Sequence, residues 1–378
     1  MKIALNGSFW DQPATGSGQY VRALLPALAR LDPNHEYELV LPQIHASTQA
    51  LPPNVSVRVE NRASKLLSAN LAKLWFEQIT FAQACRRAHA SLAHIPYFAP
   101  AFFSPTRMVV TIHDLIPLLL PAYRGSLRVR AYTQLVAAAA RCADAVIADS
   151  ECSKRDIVRR LGIDAARVHV VYLAAGAGYR PVADPAVIRK YGLPEKYVLY
   201  LGGFDQRKNV RVIIEAFARL SEFHSAGYRL VLAGVNLGVD STLFPNPQRI
   251  ARETGLPDTA IQYLGGVDEG DKPALYSGAA VFLFASLYEG FGLPPLEAMA
   301  CGAPVVSSNA SSLPEVVGDA GICVSPEDVA AWAEAIRTVL TDDARRAAMR
   351  ERGIVQAKEF SWERTARETL AVYQFVEQ

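Results

Sequence analysis

Along most of the chain, short apolar runs alternate with stretches in which apolar residues return every three or four positions, the mixed signature of buried strands and amphipathic helices. In the first half, residues 2–6, 37–41, 55–58, 108–112, 145–148 and 168–171 read as strands, and residues 20–29 and 69–90 as helices. The second of these helices carries Leu71, Leu74, Trp75, Ile79 and Ala82 near helical spacing, which suits a face packed on a core or one laid on a membrane interface. Another set of strands begins at Tyr197 and continues through residues 228–233, 261–264, 279–285, 304–307 and 322–324, again with helices between. Alternation of this kind predicts the α/β class, with doubly wound parallel sheets built from strand-helix-strand units.

A stretch rich in Gly, Ala and Pro at residues 174–184 separates the two sets and has the composition of a linker. One domain is therefore expected over residues 1–175 and a second over 184–361, with a final amphipathic segment at 362–378 free to join the first. Two such domains would face each other across a cleft lined by strand C-terminal edges, where open parallel sheets bind ligands.

With 378 residues and 51% apolar content, the chain has ample material for two cores. Its five cysteines, Cys85, Cys142, Cys152, Cys301 and Cys323, are odd in number and lack paired spacing. Neither a disulfide framework nor a zinc site is expected, in keeping with a reducing cytoplasm. The apolar run at the N-terminus is too short for a signal peptide, and no stretch reaches the ~18 apolar residues of a membrane span. The net charge of +2 conceals an asymmetry: residues 1–180 hold 20 Lys and Arg against 12 Asp and Glu, and the remainder 19 against 25. Arg62, Lys65, Lys73, Arg86, Arg87, Arg107, Arg124, Arg128 and Arg130 contribute to the basic half. That half fits either an anionic membrane surface as partner or an ordinary solvated exterior.

Candidate chemistry gathers at the predicted strand ends. The run from Ser286 to Gly302 places Glu289 and Glu297 eight residues apart across the turn Gly290, Phe291, Gly292, and Pro294 and Pro295 then open a helix. Glu289 is expected at a strand end and Glu297 about a turn into that helix, whose N-terminus suits an anion. In the matching place after residue 201, Gly202, Gly203, Phe204 and Asp205 lead to Arg207 and Lys208 before the next helix. Cations there oppose the helix dipole. They are better explained if an anion sits nearby, and the pair, an Arg fork beside a Lys point charge, fits either a diphosphate clamp or a solvated first turn.

His113 and Asp114 end the strand at 108–112, where a His can meet a substrate hydroxyl or serve only to hold its loop; His94 is a weaker candidate of the same kind. Gly16 and Gly18, in the loop after the first strand, let backbone amides approach a phosphate or form a plain turn. The spacing there is not that of a dinucleotide fingerprint. The chain has no P-loop, no Gly-x-Ser-x-Gly elbow, no Asp-x-Asp pair and no His/Cys ligand spacing. A metal-bridged diphosphate is therefore not expected.

On these residues the chain resembles the retaining glycosyltransferases of family 4, which have the GT-B fold of two Rossmann-like domains facing a cleft. The resemblance spans essentially the whole length. Its most specific part is Glu289 to Glu297 with the tract running on through Gly302, Ser311, Ser312 and Glu315. Gly16 and Gly18, Thr111 to Asp114, Ala148 to Lys154 and Arg207 to Asn209 add to it. The resemblance implies that Glu289 holds hydroxyls of the donor sugar, with the amides of Phe291, Gly292 and Leu293 near the sugar and β-phosphate, and that Glu297 takes the ribose hydroxyls. Lys208 would bind the diphosphate, Gly16 or Gly18 would approach it from the other domain, His113 would lie beside the reacting sugar, and Gly265, Gly266 and Val267 would flank the base. Many members carry an Arg directly after the strand's glycine where this chain has Gly203, and Arg207 is the candidate to supply that second cation.

The implied activity is hexosyl transfer, with retention, from a nucleotide-diphosphate sugar to a saccharide or lipid-linked saccharide. GDP-mannose is the first choice of donor, ahead of UDP- and dTDP-sugars. No other cofactor, no metal and no nucleic acid are expected, and the setting is the cytoplasm or the inner face of the membrane. A sugar-nucleotide epimerase or a phosphate-accepting transferase of the same fold, and a non-catalytic nucleotide-sugar binder, are the alternatives.

Overall fold

A computed structural model of the chain describes residues 1–13, 15–43, 51–60, 68–235 and 240–378; Arg62 and Lys65 lie outside the described residues. The chain divides into two compact units, Met1–Leu173 with Ser361–Gln378, and Ala174–Phe360.

The first unit is built on seven parallel strands: β1 (Lys2–Asn6), β2 (Glu36–Leu41), β3 (Val55–Val59), β4 (Leu92–Ile95), β5 (Arg107–Ile112), β6 (Ala145–Ala148) and β7 (Val168–Val170). Their order is β3-β2-β1-β4-β5-β6-β7, so the direction of winding reverses between β1 and β4. The second unit has six: β8 (Tyr197–Leu201), β9 (Arg229–Ala233), β10 (Ile261–Gly265), β11 (Val281–Phe284), β12 (Val305–Ser308) and β13 (Ile322–Val324), in the order β10-β9-β8-β11-β12-β13. Here the reversal falls between β8 and β11. Strands flanked by helices on both faces must be apolar throughout, and every residue of β8 and β11 is buried accordingly.

Strand β4 escapes the periodicity reading because it is only four residues long and contains His94. That histidine is fully buried, bonded through Nδ1 to the Tyr373 hydroxyl at 2.7 Å and through Nε2 to Thr111 Oγ1 at 2.9 Å. Burial pushes its pKa down to about 3, with His113 adding to the effect. It is a neutral core residue and not a site group.

The helix expected over residues 69–90 is interrupted. A helix over Ala69–Trp75 passes into a π turn at Phe76–Thr80 and resumes over Phe81–Ala88. The wider turn shifts the buried face: Phe76, Glu77, Thr80, Phe81 and Ala84 point inward, whereas Leu71 and Trp75 are exposed. The last helix, Trp362–Glu377, returns to the first unit, where Thr365 Oγ1 donates to the Tyr172 carbonyl at 2.7 Å and Tyr373 meets His94.

Candidate active site

The switch point of the second sheet gathers most of the chemistry expected there. Strand β8 runs into Gly202 and Gly203, a 3-10 turn over Gln206–Lys208 and, after Asn209 in the left-handed region with φ 51°, the helix Val210–Ala218. Strand β11 leads into the Glu289 loop, and the Leu287 amide donates to the Arg207 carbonyl at 2.8 Å, fastening the two loops together. Both cations then converge on one carboxylate oxygen. Lys208 Nζ lies 2.7 Å and an Arg207 NH1 nitrogen 2.8 Å from Glu289 Oε1, and the Lys208 ammonium sits 5.0 Å from the centre of the Phe284 ring. Burial would raise the Glu289 pKa, but Lys208 and Arg207 outweigh it and hold the carboxyl below its usual range. Glu289 is thus an ion-paired carboxylate.

The loop that carries it is shaped by close approach. Gly292 has φ 130°, and a Cβ there would fall 2.9 Å from Leu313 Cδ2. The Glu289 amide donates to Ser311 Oγ at 2.9 Å, Ser312 Oγ donates to the Glu289 carbonyl at 2.9 Å, and Ser312 also touches the Phe291 carbonyl. Ser311 itself holds φ 54°, a conformation unusual for a residue with a side chain and concentrated at functional loops. The two serines belong to the tract that carries the family resemblance, but their role as the scaffold of Glu289 has no signal in the local sequence. Beyond the loop, Leu293 begins the helix Leu293–Ala300.

Glu297 occupies a separate environment on that helix. It is buried, and its Oε2 lies 3.1 Å from the Tyr276 hydroxyl. Burial pushes its pKa up to about 7, Lys272 pulling it back and Glu269 raising it, with Tyr276 and Tyr179 also bonded to it. Tyr179 in turn donates to Glu269. The two carboxylates of the motif therefore differ in kind, one held charged by paired cations and the other able to carry a proton near neutrality.

Beside the ends of β8, β9 and β10 lies a largely apolar cavity of about 370 Å³, lined among others by Phe204, Gly234, Val235, Gln248, Tyr263 and Gly266. Val267 follows directly on its wall. Gly234 is required by contact, since a Cβ would fall 2.0 Å from the Gly202 carbonyl oxygen. Gly203 is exposed and accepts from the Tyr200 hydroxyl through its carbonyl.

The remaining candidates lie in the first unit. His113 follows β5, its Nδ1 2.7 Å from Asp149 Oδ2 and its Nε2 3.2 Å from the Pro96 carbonyl. Both neighbours accept, so the ring fits best with both nitrogens protonated. Burial works against that charge, but Asp149 outweighs it and the pKa is raised. Asp149 lies in the Ala148 to Lys154 tract that carries the family resemblance, but its bond to His113 has no signal in the local sequence. Gly16 opens the helix Gly16–Leu31 with open space around it, whereas the Gly18 amide is already bound to Thr15 Oγ1 at 3.2 Å, and a Cβ on Gly18 would strike the Gln12 carbonyl. Gly18 therefore serves close packing, with its amide engaged as a helix cap. Among the described residues, no group of three or more His, Cys, Asp or Glu is placed to hold a metal ion, and no helix is long and apolar enough to cross a membrane.

Two doubly wound parallel units in one chain, the second with a cation pair and a carboxylate at its switch point, make up the GT-B architecture of glycosyltransferases. The family description Glycosyltransferase Family 4 matches residues 14–174, and Glycosyl transferases group 1 matches residues 186–356. The O-antigen chain mannosyltransferase B of Escherichia coli is 34% identical over 394 residues, with 100% of each chain covered. Among solved structures, sucrose-phosphate synthase from Thermosynechococcus elongatus superposes with a TM-score of 0.75 at 24% identity, covering 100% of this chain and 99% of that one. Anabaena HepE in complex with UDP does so with a TM-score of 0.72 at 20% identity, covering 99% of each. These two likenesses establish the fold. The chain belongs to glycosyltransferase family 4.

Proposed function

We propose that the protein transfers a hexosyl group, with retention at the anomeric carbon, from a nucleotide-diphosphate sugar to a saccharide or lipid-linked saccharide acceptor. The observation that carries this reading is the convergence of Arg207 and Lys208 on Glu289 at the switch point of the second sheet. Two adjacent cations with one shared counterion form a place where a diphosphate gains charge-assisted hydrogen bonds. Glu289, once the phosphates engage the cations, has carboxylate oxygens for the hydroxyls of the transferred sugar. Glu297 would bind the ribose, the amides of Phe291, Gly292 and Leu293 the sugar and β-phosphate, and the cavity with Val267 at its edge would seat the base. The leaving phosphate would accept the acceptor's proton while the cations stabilise its growing charge. Glu289, held charged between two cations, acts in this scheme as a positioning group and not as a covalent nucleophile.

The similarity to a mannosyltransferase supports GDP-mannose as donor, and the UDP complex of HepE supports a uridine nucleotide as the second choice. We further propose that Arg207 takes the place of the arginine missing at Gly203, that no metal ion bridges the diphosphate, and that the protein works in the cytoplasm. A peripheral contact with an anionic membrane is proposed through the first unit, where Leu127 and Val129 stand exposed among Arg124, Arg128 and Arg130.

A thermal-shift panel of GDP, UDP and dTDP should show one nucleotide stabilising the fold by mass action. Lys208→Ala and Arg207→Ala should each lower turnover about 100-fold or more if both cations stabilise the leaving group. Full activity of Arg207→Ala beside an inactive Lys208→Ala would remove Arg207 from the role given to it. NMR of the glycosidic product should show the donor's anomeric configuration; inversion would refute retention.

A further inference from the structure

The residue that follows β6, Asp149, carries a carboxylate whose side chain is only 2% exposed. Its Oδ2 lies 2.7 Å from His113 Nδ1, while Oδ1, also buried, has no hydrogen-bond partner. A buried carboxylate with one oxygen unmet is destabilising unless a neighbouring charge compensates it. An asparagine has nearly the same shape and would anchor a neutral imidazole without that penalty: its amide can donate to Nδ1 while Nε2–H keeps the Pro96 carbonyl. Packing and anchoring therefore do not explain the charge at position 149. Its effect on the protonation of His113 does.

The imidazole is closely held. Nε2 faces the Pro96 carbonyl at 3.2 Å, the Tyr20 ring meets it edge to face with centroids 4.9 Å apart, and Ser153 Oγ donates to the His113 carbonyl at 3.3 Å. Asp149 and the adjacent Asp114 both favour the charged ring, whereas His94 on β4 is neutral. The Tyr20 hydroxyl is engaged with Thr111 Oγ1 at 3.1 Å, and burial keeps its proton in place. With an acceptor at each nitrogen, the ring has no free lone pair. A general base needs one, so His113 is not equipped to take the proton of an acceptor hydroxyl. What it can offer is Nε2–H: the bond to Pro96 is the longer of the two, and the side chain is 21% exposed. A cationic N–H makes a stronger hydrogen bond than a neutral one.

We propose that Asp149 is a positioning residue that holds His113 doubly protonated and in one orientation, so that His113 serves the transfer as a charged hydrogen-bond donor and never as a base. The use made of this charge rests on the reading of the enzyme as a sugar transferase; the charge itself does not. The acceptor's proton is thereby left to the departing phosphate.

The test is imidazole nitrogen NMR of the full chain from pH 6 to 8, with His113→Gln to assign the signal, beside steady-state turnover of Asp149→Asn. Both His113 nitrogens of the parent should be protonated throughout, and the ring of the variant should lose a proton within this range. At pH 8 the variant's kcat should fall about tenfold or more, with the nucleotide-induced thermal shift unchanged. The ratio of its kcat to the parental value should climb as pH falls to 6 and the imidazolium returns; taking the ratio cancels Glu297, which is common to both proteins. A neutral His113 in the parent at pH 7.5 would overturn the proposal. So would a variant that loses the proton yet keeps parental kcat, or one whose kcat ratio is equally low at every pH, which would make Asp149 a structural anchor alone. Should Asp149→Asn fail to fold, the parental spectrum decides the charge state. A parent with doubly protonated His113 that transfers sugar from no nucleotide would uphold the hold of Asp149 on His113 and remove the transferase reading.

Discussion

The two glutamates of the Glu289 to Glu297 motif show how far burial alone can separate identical side chains. Both leave bulk water, but only Glu289 finds paired cations, and only Glu297 has its pKa pushed up to about 7. The sign of the pH effect follows. Between the unfolded value near 4.5 and about 7, the native state binds more protons than the unfolded chain, so stability falls as pH rises through that window and levels off above it. The full span corresponds to roughly 3 kcal/mol. Glu297→Gln, neutral at every pH, should gain in melting temperature relative to the parent as pH rises from 5 to 8. An unchanged difference in Tm across that range would show that Glu297 carries no such proton. At this scale the sequence made the residue types and the 289–297 spacing legible, because turn glycines and helix-opening prolines report local geometry. It marked Ser311, Ser312 and Asp149 only as members of tracts that carry the family resemblance, and was silent on Tyr179 and on what each of the four touches, since their partners come from distant parts of the chain.

Elements were legible where their pattern was long or their ends were marked. Every strand of the second unit was placed within a residue or two, because each is an apolar run between helices. Strand β4 was missed because four residues with a histidine inside carry too little pattern, and the π turn was missed because the apolar spacing of residues 69–90 suits a continuous helix as well. The turn from β11 into the helix Leu293–Ala300 depends on a backbone conformation that only glycine adopts easily. Gly292→Ala should therefore destabilise the protein by about 2 kcal/mol, the order of a strained residue in an unfavourable φ region, and lower activity by displacing Glu289. Denaturant unfolding combined with turnover measurements checks it; parental stability and activity together would show that the loop relaxes at no cost.

For the whole molecule, the two units differ in how they are closed off. The second is continuous from Ala174 to Phe360, whereas the first needs Ser361–Gln378. The final helix satisfies His94 and the Tyr172 carbonyl and buries Ala366, Leu370, Val372, Tyr373 and Val376. A chain ending at Phe360 should lose the first unit's cooperative melt and aggregate, because those contacts would be replaced by exposed apolar surface. Tyr373→Phe should cost about 1 to 3 kcal/mol through the unmet polar group of His94. Calorimetry of the two variants measures both effects, and a truncated chain that stays monomeric with an intact first transition would contradict the first of them.

The same return of the chain sets an order on biosynthesis. Domains fold as they emerge, N-terminal first, yet here the earliest segment made cannot be completed until Ser361–Gln378 has left the ribosome. The second unit can reach its native state while the first still waits for its closing helix. For the length of translation between Leu173 and Ser361, nascent β4 and β5 lack a permanent cover, and that interval is when a chaperone has most to protect.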